Sequence, residues 1–320
     1  MKQFAFTVLF FIVVSFLLPL GVFIIMNFKD KPSEREVPPE NAGEISVFFP
    51  EENKTRDMGL EEYLIGVVTA EMPASFEEEA LKAQAVAARS YAIYKNRSKN
   101  PDSVHPDASV CTDHTHCKAY KKKEDAFKAW GKNAEEYNMK IISAVNSTKG
   151  EILTYNGEVA LTVFHAQTGG GKTENSSDVW GGNLPYLVSV ESEEKDAPGF
   201  YSSCDVAFDE FCQKLTKENP LAKIDGPEDI GEIKKSEGGD VKEITIGGVV
   251  FGGPKIRSLF SLRSSCFTVT ANEKNVHFEV SGYGHGVGMS QYGANTMALE
   301  GYDYKDILTH YYSGTVIDYV

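Results

Sequence analysis

The sequence predicts an α+β fold: a helical amino-terminal part, β-hairpins later and a smaller discontinuous second lobe, all behind one transmembrane helix. Three observations predict it. The segment Phe4 to Phe28 carries no charge. Two segments between Leu60 and Ala92 repeat their apolar residues at helical spacing. Asn156-Gly157 and Gly247-Gly248 each sit between strand-like runs, and Asn-Gly is the signal of a type I′ hairpin turn.

About 20 helical residues suffice to cross the hydrocarbon layer, so Phe4 to Phe28 is expected to span it. A cleaved signal peptide would end its shorter apolar region at a small-x-small site, which Ile24-Ile25-Met26-Asn27 is not. Residues 1–28 are therefore expected to stay as a membrane anchor. Lys2 precedes this segment and Lys29, Lys31 and Arg35 follow it, so charge alone argues weakly for the opposite orientation. Residues 29–45 are polar and proline-rich and read as a flexible tether. The folded body is expected over 46–320, with the second lobe at about 200–275.

A net charge of -14, with no basic run longer than Lys121-Lys122-Lys123, excludes nucleic acid, whose phosphates demand clustered cations. No internal repeat is present, so solenoids drop out. Five cysteines fall into two groups: Cys111 and Cys117 lie among histidines, while Cys204, Cys212 and Cys266 are scattered and read either as a disulfide plus a thiol or as three reduced residues.

In Leu60 to Glu71 the apolar Leu60, Tyr63, Leu64, Val67 and Val68 mark one helix face. At about 100° per residue, Glu71 falls within about 20° of Leu60, so its carboxyl lies on the stripe that faces the core. Pro73 disfavours helical geometry at Met72, which places Glu71 in the last turn, against the negative end of the helix dipole. Burial and dipole both disfavour the ionised form, as a general acid requires, and the competing reading is a glutamate bonded for structural reasons. Next, Ser75 and Glu78 read as a capping box for an alanine-rich helix carrying Lys82 and Arg89, which could offset Glu71 or an anionic substrate.

The stretch from His105 to Cys117 holds His105, Cys111, His114, His116 and Cys117. Zinc takes four tetrahedral N/S ligands, and the expected set is His105, Cys111, His116 and Cys117, with His114 in reserve. A site filled by four protein ligands is structural, since a catalytic zinc keeps a position for water. A Cys111–Cys117 disulfide is the alternative.

Two glycine-rich segments share one layout. A strand runs into Gly169-Gly170-Gly171 with Thr168, Thr173 and Trp180 nearby, and another into Gly282, Gly284, Gly286 and Gly288 around Tyr283 and His285, before a helix near Ser290 that begins with Gln291 and Tyr292. Neither has the terminal Lys-Ser/Thr of a phosphate loop. Tyr, Gln and His suit sugars, combining flat apolar faces with hydroxyl-matching groups, although a histidine between glycines is more often bonded to backbone.

Taken in order, YLIGVVTAEMPASF, ALKAQAVAARSYA, FHAQTGGGKTENSSDVWGGNLPYLVSV and GYGHGVGMSQYGA resemble the stage II sporulation protein D family from about Ser46 to Val320. The Cys/His loop resembles the zinc-binding loop of clostridial members. The resemblance implies a lytic transglycosylase acting on peptidoglycan glycan strands during forespore engulfment, anchored in the mother-cell membrane and facing the space between the two membranes. It implies as partners a membrane protein and an amidase that first strips the stem peptides. It places the essential glutamate on Glu71, and the glycan-site motifs on Lys82, Arg89, Thr168, Gly170, His285, Gln291 and Tyr292. Where the family often has serines, this chain reads Phe164-His165-Ala166-Gln167-Thr168, and His165 is a departure.

Overall fold

The computed structural model describes residues 43–98, 104–194 and 196–320. Strand β1 (Glu44–Phe49) buries Ile45, Val47 and Phe49 in alternation and pairs antiparallel with β2 (Lys54–Gly59). Strand β2 runs directly into α1 (Leu60–Glu71), which buries Leu60, Tyr63, Leu64, Val67 and Val68 and ends at an extended Met72, as Pro73 dictates. Helix α2 (Glu78–Arg97) forms the centre of the main core, because its alanines let α1 and later elements approach closely. The expected capping box is not made, since no side chain caps α2; instead the Glu77 N–H donates to Asn295 Oδ1 at 2.8 Å.

Strand β3 (Val110–Cys111) joins β1 in parallel, with Cys111 opposite Phe48. After α3 (Lys123–Trp130) and α4 (Ala134–Ser147), β4 (Glu151–Tyr155) and β5 (Glu158–Val159) form the Asn156-Gly157 hairpin, with φ of 52° and 82° at the turn as a type I′ turn requires. Strand β6 (Phe164–His165) and α5 (Ser176–Trp180) complete this half.

A second apolar core lies between Val206 and Val280. It is built by β7 (Tyr201–Ala207), α6 (Phe208–Glu218), β8 (Ile230–Lys235), β9 (Val241–Ile246), β10 (Val249–Gly252), α7 (Gly253–Phe260), β11 (Phe267–Ala271) and β12 (Asn275–Ser281). Its sheets run β10-β9-β8 and β11-β12-β7, and the Phe211, Phe260 and Phe278 rings stack between them. The chain then returns to the main core through β13 (Met289–Ser290), α8 (Gln291–Leu299), α9 (Tyr304–Tyr311) and β14 (Val316–Tyr319).

The expected fold class needs correcting. Helices and strands alternate to the carboxyl end rather than segregating, so the architecture is mixed α/β. The reason is long-range pairing: β6 pairs with β13 and β4 with β14, which obliges late segments to complete early sheets. The transmembrane element is also not found: no helix among the described residues is long and apolar enough to cross a membrane. The segment 4–28 and most of the tether lie outside the described residues.

Candidate active site and metal-ligand cluster

Glu71, half-buried at the end of α1, is held from two other segments. Its Oε1 accepts the Ala119 N–H at 2.8 Å, and its Oε2 faces the Gln291 side-chain amide at 3.4 Å. That amide also lies 3.4 Å from the side-chain Oε1 of Gln84, a fully buried residue of α2. Among the described residues no second carboxyl shares a hydrogen bond with Glu71. Lys118 is buried, its ammonium 3.5 Å from the Phe164 ring centroid and 4.6 Å from that of Tyr91. Burial pushes its pKa down to about 8, against the pull of the Glu71 charge.

The pairing of β6 with β13, together with a Gln167–Tyr283 bridge, brings the two glycine-rich segments side by side. His165 Nδ1–H donates to the Val287 carbonyl at 3.2 Å, which leaves Nε2 to accept the Thr168 hydroxyl at 2.9 Å. Burial pushes the His165 pKa down to about 4. His285 accepts the Val287 N–H at 3.1 Å and packs against the rings of His165 and Trp180 at 5.7 and 5.3 Å. Burial, with the Lys118 and Arg257 charges adding to it, holds it well below the usual histidine range. Both imidazoles are therefore neutral near pH 7, and both are bonded to backbone.

Ser290 caps α8 by accepting the Gly293 N–H, which aims Gln291 at Glu71. Tyr292 packs edge-on against Phe76 at 4.9 Å and stays partly exposed on the wall of a cleft of about 750 Å³ that begins at Pro73. Gly170 is exposed, yet a Cβ there would lie 2.0 Å from the Gly238 carbonyl oxygen, so the glycine allows the second core to approach.

Two expected substrate cations are engaged elsewhere. Arg89 is fully buried: its guanidinium forms a two-point ion pair with Glu61 at 3.0 and 2.6 Å and donates to the Glu151 and Val145 carbonyls. Lys82 pairs with Glu78 and Glu79 on its own helix. Thr168 is buried too, its hydroxyl on His165 and its N–H on Glu194 Oε1 at 3.0 Å.

Glu194 is the residue that sequence reasoning missed. Its carboxyl also accepts the Ser192 and Ser290 hydroxyls at 2.9 and 2.6 Å, and the Ser192 oxygen lies 2.8 Å from the Tyr311 hydroxyl. One buried carboxyl thus ties the first glycine segment to the cap of α8. Burial raises its pKa, opposed by those hydrogen bonds. No local signal marks it, because Glu191-Ser192-Glu193-Glu194 reads as a solvated acidic loop.

His105, Cys111, His116 and Cys117 converge, with one ligand atom from each within 4.8 Å of the others. His105 Nε2 lies 3.2 Å from Cys117 Sγ, and His116 Nδ1 lies 3.4 Å from both sulfurs. A tetrahedral zinc with bonds of about 2.0 to 2.3 Å separates its ligands by about 3.3 to 3.8 Å, close to these spacings. His105 Nδ1–H donates to the Ala108 carbonyl at 3.0 Å, which fixes the tautomer whose Nε2 lone pair, beside Cys117 Sγ, faces the other ligands. The residues fit a closed four-ligand metal site. Cys111 and Cys117 are free thiols, and the hydrogen bond between them pushes Cys117 down and Cys111 up. His114 points to solvent. From Cys117 the chain passes directly to Lys118 and Ala119, so the cluster anchors the segment that holds Glu71.

The family profile described as "Stage II sporulation protein" matches residues 50–155. Over 275 residues the chain is 40% identical to stage II sporulation protein D of Bacillus subtilis (strain 168), covering 85% of this chain and 78% of that protein. It is 37% identical over 280 residues to stage II sporulation protein D of Bacillus amyloliquefaciens, covering 87% and 79%. It is also 28% identical over 305 residues to the amidase enhancer of Bacillus subtilis (strain 168), covering 79% of this chain and 40% of that protein.

Proposed function

The chain belongs to the stage II sporulation protein D family, and on that premise we propose that it is a lytic transglycosylase that cleaves stripped peptidoglycan strands during forespore engulfment. The observation that carries this reading is the Glu71 carboxyl: at a helix end, bonded to Ala119, facing Gln291 and, among the described residues, sharing no hydrogen bond with a second carboxyl. Glu71 protonates the glycosidic oxygen as general acid. It then takes the proton from the muramic acid 6-hydroxyl, whose oxygen closes onto C1 to leave a 1,6-anhydro ring. No water attacks, so the second carboxylate of an ordinary glycosidase has no task. Gln291 orients Glu71 and offers its amide to a sugar hydroxyl, and the Tyr292 ring supplies a flat face.

The four-ligand cluster is read as a structural zinc site that keeps Ala119 in place. On this reading the protein acts outside the cytoplasm, between the mother-cell and forespore membranes, beside an amidase that strips stem peptides and a membrane protein of the engulfment machinery.

The test is the rate of strand cleavage by wild type and Glu71→Gln. A loss of about 10²–10⁴-fold with strand binding retained supports the acid/base role. The name of one relative, amidase enhancer, favours a second reading: a non-catalytic glycan-binding module that activates an amidase. Under that reading neither protein cleaves, and both stimulate an amidase equally.

A further inference from the structure

A strand long enough to be cut must extend beyond Glu71, and charge discriminates between its possible routes. Among the described residues, the cleft beside Tyr292 is lined by Glu77, Glu193, Asp196 and Glu300 and by no cation. Stripped glycan carries one free lactyl carboxylate on every muramic acid, so this wall repels it.

Against the first glycine segment lies a cleft of about 500 Å³ in the second core. Hydroxyls of Ser202, Ser203, Thr268 and Ser281 line it, with Lys235 balancing Glu279. It abuts the first glycine segment: a Cβ on Gly169 would meet Cys266 Cβ at 2.4 Å and the Ser281 carbonyl at 2.6 Å. Exposed aromatic rings connect it to the site. Tyr201, 70% exposed, is paired with Ser281; Tyr283, 48% exposed, follows two residues later; Trp180, 47% exposed, rests on His285. The Arg263 guanidinium lies 4.4 Å from the Tyr283 ring centroid, adding a second cation along the route. Exposed rings beside a hydroxyl-lined cleft suit sugars, whose apolar faces match the rings while their hydroxyls meet the polar lining.

We propose that the cleft between β7, β12 and Lys235, continued by Tyr283, is an extended subsite that binds the glycan strand beyond the cut bond and favours strands with free lactyl carboxylates. This rests on the reading of the protein as glycan-cleaving. Tyr201 stacks on a sugar face, and Lys235 and Arg263 face the carboxylates.

The experiment measures KM, kcat and product masses for the full-length chain on stripped glycan oligomers of increasing length, with Tyr201→Ala, Lys235→Gln and, lining neither cleft, the exposed Leu221→Ala. Binding of the same oligomers is measured in parallel on Glu71→Gln with and without each change. The subsite predicts a KM increase that grows with strand length to about tenfold for Tyr201→Ala. Lys235→Gln weakens binding of stripped strands but not of neutral N-acetylglucosamine oligomers. Leu221→Ala matches wild type throughout. A KM unchanged at every length, or raised equally at all lengths, overturns the subsite. If wild type cleaves nothing, the glycan-cleaving reading fails, and the binding of long strands with and without Tyr201→Ala still decides the subsite.

Discussion

Glu71 occupies the end of its own helix, but the groups around its carboxyl come from Ala119, behind the Cys/His cluster, and from Gln291, at the start of α8. Charged residues elsewhere in the core differ in what they can contribute. Arg89 has the composition of a substrate cation and the surroundings of a strut, bonded to Glu61, Glu151 and Val145 inside the core. Arg89→Met therefore leaves Glu61 without its partner and costs about 3–5 kcal/mol in denaturant unfolding. A large loss of kcat at unchanged stability would instead put Arg89 at the substrate. Glu194→Ala frees Thr168, Ser192 and Ser290 together. It should lower kcat on the order of 10–100-fold through misplacement of Gln291, read as kcat against KM on a short oligomer. An unchanged kcat would mean that α8 is held without it. The helix position of Glu71 was legible from periodicity and Pro73, but its partners were not, because they lie 48 and 220 residues away.

Elements carry the next two expectations. The loop from Val104 to Ala119 has little regular structure beyond β3, and the proposed ligation at its four Cys/His residues would fix its path. Zinc should raise Tm and slow hydrogen exchange of the Ala119 N–H, and chelation should reverse both; a Tm indifferent to chelation would make the cluster a set of packed thiols and imidazoles. Ligand density made these four residues legible in the sequence, with His114 held in reserve, and the structure gathers the four and leaves His114 toward solvent. The turn after β8 buries two acids, Glu174 and Asp240, near Arg257 and Lys235. Burial raises both, and for Asp240 the Glu174 charge adds to it. A raised acid contributes stability that is present below its unfolded pKa of about 4 and lost as pH rises through the folded value. Asp240→Asn should therefore gain Tm relative to wild type as pH rises above about 4, and a constant difference across pH would contradict the buried charge.

At the scale of the whole chain, the turns at Asn156-Gly157 and Gly247-Gly248 and the helix starting after Ser290 were readable because each depends on a few adjacent residues. The alternation of helix and strand was not, because β6–β13 and β4–β14 join segments far apart in sequence, and local pattern carries no information on such pairing. The same pairings bring the two glycine-rich segments side by side and lead into the helix whose Gln291 faces Glu71; in the proposed reaction that single carboxyl serves as acid and then as base. The direct test is mass spectrometry of the products from stripped glycan strands cut in ¹⁸O-labelled water. Fragment masses that sum to the intact strand, with anhydro-muramic ends and no label, are the predicted result. Fragments heavier by one labelled water would show hydrolysis and contradict the intramolecular closure assigned to Glu71.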